Sequence, residues 1–226
     1  MKKAHLLFIP LLLCALNLSA QRFRAGLSAG AVASDVQGTD TRDNDADFTK
    51  LGFSLGGIVN SNITKNIILQ LEINYIQKGA AQKPDSLMNG SFRLVLNYIE
   101  IPLVFRRRMH MTIFKKPSNN FDLEWGASIG RLFSSSFTAD NYPQYLGPNT
   151  FNKTDVSLLF GFDYNLNNNI HFCVRYSNSV IPAIRHDSTP GLQFLPYTFN
   201  MGNNMVFLFA IKFIFGGSNS EQPANK

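Results

Sequence analysis

Hydrophobic and polar residues alternate along most of the chain. Between positions 23 and 31 the odd positions hold Phe, Ala or Leu, and positions 24 to 30 between them hold Arg, Gly or Ser. A period of two is that of a β-strand whose two faces meet different surroundings. The same pattern recurs seven more times. It predicts strands over residues 22–33, 51–59, 67–77, 92–106, 121–131, 155–164, 170–177 and 205–215.

The connections between these strands alternate in length. Residues 34–49, 79–91, 134–153 and 182–203 are long and polar, 60–66 and 165–168 are short, and Arg107 to Asn120 is intermediate. Long loops at one end and short turns at the other are typical of a barrel between the cell exterior and the periplasm. The predicted fold class is all-β: an eight-stranded antiparallel transmembrane β-barrel, an up-and-down meander similar in size to OmpA and OmpX.

The apolar face of these strands is too bulky for the interior of so small a barrel. An eight-stranded barrel is just wide enough inside to be filled by side chains, and the opposite face is rich in Gly and Ser. We therefore expect the aromatic face to contact outer-membrane lipid. The aromatic residues that carry this argument are Phe121, Trp125, Phe160, Phe162, Phe172, Phe207, Phe209, Phe213 and Phe215.

Charged residues of both signs fall on the face that then points inward. Because an unpaired charge in a sealed interior is costly, we expect these residues to form a paired network that fills the lumen. The predicted lumen network comprises Arg24, Glu72, Glu100, Arg106, Asp122, Glu124, Asp155, Asp163, Arg175 and Lys212.

The composition and the N-terminal residues indicate the cellular compartment. Charged residues make up only 16% of the chain, against about 25% in a typical soluble domain. Residues 1–20 combine two lysines, an apolar run and small residues, and predict a cleaved signal peptide. The barrel then spans residues 21–215, and 216–226 is a polar tail. Removing Lys2 and Lys3 lowers the formal charge from +6 to +4, too little to indicate a nucleic-acid partner.

None of the candidate chemical motifs matches the residue pattern that its chemistry requires. The run Asp43 to Asp47 lacks the Gly and the Glu of a calcium loop, since Phe48 and Ser54 stand there. His186, Asp187 and Ser188 are adjacent, whereas a catalytic triad needs separate backbone positions. With Cys173 the single cysteine after the signal, no disulfide forms within the mature chain. We predict no catalytic, metal-binding or cofactor-binding residues.

Two of the long loops carry aromatic residues that we expect to be exposed to solvent. An apolar loop surface indicates a binding partner, and here a protein or a glycan would fit. The contact candidates are Phe137, Tyr142, Tyr145, Phe194, Tyr197 and Phe199.

The segments Asn97–Leu103 and Gly52–Gly57, the Ala20-Gln21 junction and the aromatic last strand resemble the PorT-like outer-membrane β-barrel proteins of the Bacteroidota. The resemblance covers residues 21–215. It implies an integral outer-membrane protein. Such barrels usually end on an aromatic residue that the insertion machinery reads; here the polar tail 216–226 follows Phe215, and we expect the strand ending at Phe215 to serve as the signal. The family's namesake belongs to the type IX secretion machinery. Pro102 lacks a ladder N–H, so we expect a bulge or a local break there.

These observations favour a non-enzymatic outer-membrane barrel with a filled lumen and long extracellular loops. Two alternatives stay open. One is a subunit of a type IX-like secretion or uptake assembly, and the other is a barrel enzyme that modifies lipid A.

Overall fold

The computed structural model describes residues 23–36, 48–82, 91–113, 116–139, 142–144, 150–184 and 202–215. No helix in this part of the chain is long and apolar enough to cross a membrane. It forms nine strands: β1 Phe23–Val36, β2 Lys50–Asn62, β3 Ile67–Gln82, β4 Phe92–Ile113, β5 Lys116–Ala139, β6 Tyr142–Gln144, β7 Thr154–Asn165, β8 Ile170–Ser179 and β9 Asn204–Ile214. The predicted signal peptide and polar tail lie outside these residues.

Eight of the strands form a closed ring. Each is antiparallel to two neighbours in the order β1, β2, β3, β4, β5, β7, β8 and β9, and β9 pairs with β1. Closure leaves no free edge in the ring, the condition a sheet must meet to lie in hydrocarbon. The predicted eight-stranded antiparallel barrel is therefore confirmed. The ninth strand, β6, is a short addition that pairs with the end of β5.

Short turns close one end of the barrel, which we call the periplasmic end. In residues 63–66, the Thr64 hydroxyl accepts hydrogen bonds from the amides of Asn66 and Ile67, at 3.3 and 3.1 Å. In residues 166–169, the Asn167 side chain accepts from the amides of Asn169 and Ile170, at 2.9 and 2.8 Å. Such side-chain acceptors stabilise tight turns locally. The strand ends that flank the four longer connections lie at the opposite end, which we call the extracellular end.

The apolar residues that alternate along the strands point outward, as the volume argument predicts. Leu158 is 62% exposed in the middle of the sheet, while its neighbour Ser157 is 1% exposed. The inward face is crowded enough to require glycine: a Cβ on Gly126 would lie 2.1 Å from the backbone oxygen of Leu103. This exposed apolar band is the surface that meets lipid.

The inward face differs from the prediction in its extracellular half. Beside the buried Lys78, Glu100 and Asp155, this half of the lumen holds a buried apolar core. Its largest members come from the first residues of β4 and the last of β5, where the alternation in the sequence is less regular. The core includes Val32, Val36, Phe92, Leu94, Leu96, Tyr98, Phe137, Val206 and Leu208.

Residues 107–120 were predicted to be a connection of intermediate length, and this prediction is wrong because most of them lie in strands. The two strands continue through most of it, β4 to Ile113 and β5 from Lys116, as a two-stranded extension of the barrel. The fourth strand was predicted to end at Arg106 and the fifth to begin at Phe121, because the inward alternation of charges stops at Arg106. The extension needs no such alternation, because it lies beyond the barrel wall.

Pro102 interrupts the β3–β4 ladder as expected. Partner pairs run through Leu71↔Leu103 and resume in the same register at Asn74↔Glu100, with none for the two residues between on β4. Pro102 does pair with Ser128 of β5. Its missing N–H therefore falls on the β3 side, and the effect is a local break.

Candidate functional site

The lumen is the site to which the sheet directs most of the polar side chains. Its periplasmic half contains Arg175, which donates to Glu72 through both terminal nitrogens, at 3.0 and 2.7 Å, and to Glu124 at 3.0 Å. Gln70 and Asn74 also donate to Glu72, at 2.5 and 2.8 Å. Glu72 lies on β3 and Arg175 on β8, which are four strands apart in a ring of eight. This bidentate pair therefore spans the full width of the lumen.

A second cation occupies the space between two carboxylates. Lys212 Nζ lies 2.6 Å from Glu124 Oε1 and 3.0 Å from both Asp163 carboxylate oxygens. Together with Cys173, these acids bring three potential metal-ligand atoms within 4.8 Å of one another. The two carboxylates share Lys212, and Arg175 and Arg106 add positive charge at Glu124 and Asp163 respectively, so the arrangement serves as an internal ion-pair network.

Arg106 connects the network to the barrel wall near the periplasmic end. Its Nη2 lies 2.7 Å from Asp122 and 2.9 Å from Asp163. The Nη1 atom of Arg106 donates to Gln70 Oε1 at 3.1 Å, and its Nη2 lies 3.2 Å from His171 Nδ1. Arg106 is 1% exposed. A fully buried guanidinium with this many oxygen partners is compensated for its desolvation.

A separate group of charges lies closer to the extracellular end. Lys78 Nζ is 3.0 Å from Glu100 and 2.8 Å from Asp155. The hydroxyl of Ser128 donates to Glu100, and that of Ser179 donates to Asp155. Lys78 belongs to β3 and Asp155 to β7, three strands away in the ring, so this pair also crosses the lumen.

The structure brings nine of the ten predicted lumen charges into the two groups just described. Arg24 is the exception: it is half-buried at the periplasmic mouth, where it lies 3.4 Å from the Asn62 side chain. The nine residues are Glu72, Glu100, Arg106, Asp122, Glu124, Asp155, Asp163, Arg175 and Lys212.

Lys78, which lies between Glu100 and Asp155, is absent from the predicted lumen network. The third strand was predicted to end at Gln77, which placed Lys78 in a loop. The signal was present, because Gln70, Glu72, Asn74 and Lys78 all occupy even positions on the same face. Extending the alternation by one residue would have added it to the lumen.

Phe137 is a correction to the predicted loop contacts. It lies within β5, is 3% exposed, and its ring centroid is 6.1 Å from that of Phe92 inside the barrel mouth. Tyr142 falls on β6, whose backbone pairs with β5. The candidates Tyr145, Phe194, Tyr197 and Phe199 lie outside the described residues, as do Asp43 to Asp47 and His186 to Ser188.

The stems of the third and fourth extracellular loops are tied together over the barrel mouth. Phe151 and Ile184 form an antiparallel bridge and are 6% and 2% exposed. The Asn152 amide donates to Ala183 O at 2.8 Å, and the Ala183 amide donates to Gly202 O at 2.7 Å. The two loops therefore emerge from one hydrogen-bonded base.

A closed ring of eight strands, an apolar outer band and an ion-paired interior define an integral β-barrel protein of the outer membrane. A family model described as "Outer membrane protein beta-barrel domain" matches residues 17–185, and the chain belongs to this family. None of the curated protein sequences compared with the chain matches it.

Solved outer-membrane proteins have similar folds at low sequence identity. Ail of Yersinia pestis is 13% identical, with 86% of this chain and 99% of that chain covered and a TM-score of 0.47. Neisserial surface protein A is 12% identical over 84% and 96%, with a TM-score of 0.44. OprG of Pseudomonas aeruginosa is 12% identical over 85% and 94%, with a TM-score of 0.36.

Proposed function

We propose that this protein is a closed, non-enzymatic outer-membrane barrel that presents its extracellular loops to a protein or glycan partner. The observation that carries the proposal is the Arg175–Glu72 pair across the full width of the lumen. Side chains that bridge opposite walls leave little room for water or solute, since an eight-stranded barrel is barely wider than the residues that fill it.

The pairing of the interior charges also argues for a scaffold instead of an enzyme. Glu72, Glu124 and Asp163 are each within 3 Å of a buried cation and are at most 3% exposed. A catalytic acid or base must contact a substrate, whereas each of these carboxylates is already paired with a buried arginine or lysine. Specificity is then left to the loops.

The tied stems of the third and fourth loops support a role in display. A loop whose ends are fixed loses less entropy when it is ordered by a partner. The bridge between Phe151 and Ile184 supplies such a fixed base for two loops at once. Tyr142, Tyr145, Phe194, Tyr197 and Phe199 remain the proposed contact residues.

The likeness of the Tyr98 to Pro102 segment supports placing the chain among the PorT-like barrels within its family. In the structure this segment positions Tyr98 and Glu100 in the lumen and Pro102 at the ladder break. Its side chains therefore serve the interior of the barrel, which is compatible with several functions.

Ion conductance tests the closed lumen. In a planar bilayer, the purified full-length mature protein is expected to pass no steady current, because charged pairs span its interior. A water-filled porin inserted in the same membrane provides the positive control. Steady current steps from the wild-type barrel would overturn the proposal. Release of acyl chains from lipopolysaccharide by the purified protein would instead establish the enzyme.

Shortening a loop tests the display role. Residues 185–201 are replaced by a short Gly-Ser turn, which keeps the stem residues Ile184 and Gly202. On a polysaccharide array and in cross-linking on intact cells, the wild type is expected to capture a partner that the shortened variant does not capture. Heat-dependent gel mobility serves as the folding control. Equal capture by both forms would contradict a role for this loop.

A further inference from the structure

The two-stranded extension below the barrel is the feature that loop display does not explain. β3 makes its last ladder pair with β4 at Arg107, and β7 makes its last pair with β5 at Phe121. Beyond these points β4 and β5 pair with each other, at Met111↔Ser118, Thr112↔Pro117 and Ile113↔Lys116. We call residues 108–113 and 116–120 the ribbon. The other two periplasmic connections are the tight turns at 63–66 and 166–169.

The ribbon is long enough to pass the lipid headgroups. Six residues of extended chain, Arg108 to Ile113, rise about 20 Å. At a strand tilt of about 45° they reach about 14 Å from the rim, while the headgroup layer is only about 5 to 7 Å thick. The far half of the ribbon therefore lies in the aqueous periplasm.

The β4 edge of the ribbon presents backbone donors. The Arg108 amide donates to Asn66 O at 2.9 Å, toward the β3 side. Alternate amides of a strand point the same way, so those of His110 and Thr112 face the same side, where the β3–β4 ladder has ended. The register shift between Met109 and Met111 adds its extra residue to β5, so the alternation along β4 is undisturbed.

The β5 edge of the ribbon, in contrast, lacks a backbone donor at Pro117. Thr112 pairs with Pro117, and since the Thr112 amide points away from β5, this is a pair without mutual hydrogen bonds. The Pro117 nitrogen then also points outward and has no hydrogen to donate. Proline is one of the residues by which exposed edges are protected from further pairing. A strand would add to β4.

We propose that the β4 edge of the ribbon, Arg108 to Ile113, binds an extended acidic segment of a periplasmic protein by β-strand addition. Charge complementarity selects this partner. From Ile101 to Phe121 the sequence contains arginines and lysines but no Asp or Glu, and four of these cations fall within residues 107–116. The alternation of Met109, Met111 and Ile113 with polar residues fits pairing with an extended chain of the same period.

Peptide binding to the full-length mature barrel in phosphatidylcholine nanodiscs tests the proposal. The probes are labelled peptides of alternating Val and Glu, or alternating Val and Lys. The acidic peptide is expected to bind and to slow hydrogen exchange at the amides of His110 and Thr112. Binding of both peptides alike, or of neither, would overturn the proposal.

Substitutions at one position separate strand pairing from charge alone. Thr112→Pro removes an edge donor and is expected to weaken acidic-peptide binding roughly fivefold, while Thr112→Val keeps the amide and the affinity. Lys116→Glu should weaken binding without changing the edge. Heat-dependent gel mobility verifies that each variant is folded. Equal affinities for Thr112→Pro and Thr112→Val would contradict strand addition.

A further experiment tests whether anionic lipid headgroups bind the ribbon in place of a protein segment. Phosphatidylglycerol is added to the nanodiscs without peptide, and exchange at the ribbon amides is compared with that in phosphatidylcholine. We expect no added protection at His110 and Thr112. Protection by the anionic lipid that abolishes peptide binding would make the ribbon a headgroup site and overturn the proposal.

Discussion

Arg175 shows how single residues hold this barrel together. It is 3% exposed and shared between Glu72 and Glu124; Glu72 depends on it for compensation, whereas Glu124 also pairs with Lys212. A buried ion pair adds little to stability relative to apolar residues, but removal of one partner leaves an uncompensated charge. The network is therefore sensitive to single changes and tolerant of matched ones.

The Arg175→Met substitution is expected to lower the free energy of unfolding by about 3–5 kcal/mol, because Glu72 loses its bidentate partner. Adding Glu72→Gln in the same chain should recover part of this loss by removing one of the unpaired charges. Urea unfolding in detergent, followed by the fluorescence of Trp125, the one tryptophan of the chain, provides the measurement.

Lys65→Met is the matched control for this experiment, since Lys65 is exposed in the turn at 63–66. It should change the free energy of unfolding by no more than about 0.5 kcal/mol. An Arg175→Met variant as stable as the Lys65→Met variant would show that the cross-lumen pair does not support the fold.

At the scale of the element, β7 shows the two environments that each strand must satisfy. Along Thr154–Asn165 buried and exposed residues alternate through most of the strand. Phe160, near the middle, is 49% exposed, and Tyr164, near the periplasmic end, is 37% exposed. The same face therefore runs from the hydrocarbon to the interface, where the cost of a charge differs.

A pair of substitutions on β7 tests this depth dependence. Phe160→Arg is expected to lower the free energy of unfolding by about 2–4 kcal/mol, because the charge would lie near the membrane centre. Tyr164→Arg, the matched aromatic position at the interface, should cost about 0–1 kcal/mol from the charge. Reversible unfolding in lipid vesicles gives both values. Equal costs would contradict the predicted position of the bilayer along the strand.

The strands were predictable to the extent that their two faces differ. β7 and the membrane part of β5 follow the alternation from end to end, and their faces were predicted correctly. The ribbon was missed because its part of β4 and β5 has no lumen on one side and no lipid on the other. Lys78 was missed because the predicted strand ended at Gln77, whereas β3 continues to Gln82.

At the scale of the whole molecule, closure of the ring decides the properties of the protein. The pairing of β9 with β1 and of β4 with β5 leaves every membrane strand with two neighbours. Outside hydrocarbon, the exposed apolar band has no suitable solvent. The folded barrel should therefore require lipid or detergent.

Gel mobility tests closure directly. The unboiled protein is expected to migrate differently from the boiled protein, because the closed barrel resists detergent until it is heated. The folded form should also precipitate when surfactant is removed. Unchanged mobility on boiling, together with solubility in plain buffer, would contradict a membrane barrel.

The sequence by itself determined the number of barrel strands, the face that meets lipid and the identity of most inward charges. These follow from a period of two and from side-chain volume, which are local properties. Only the tertiary structure decided that Arg175 pairs with Glu72 and Lys212 with Glu124 and Asp163, that the extracellular half of the lumen contains an apolar core, and that β4 and β5 continue as a ribbon. Such contacts depend on the stagger of eight strands around a ring, and the stagger is set by all the ladders together.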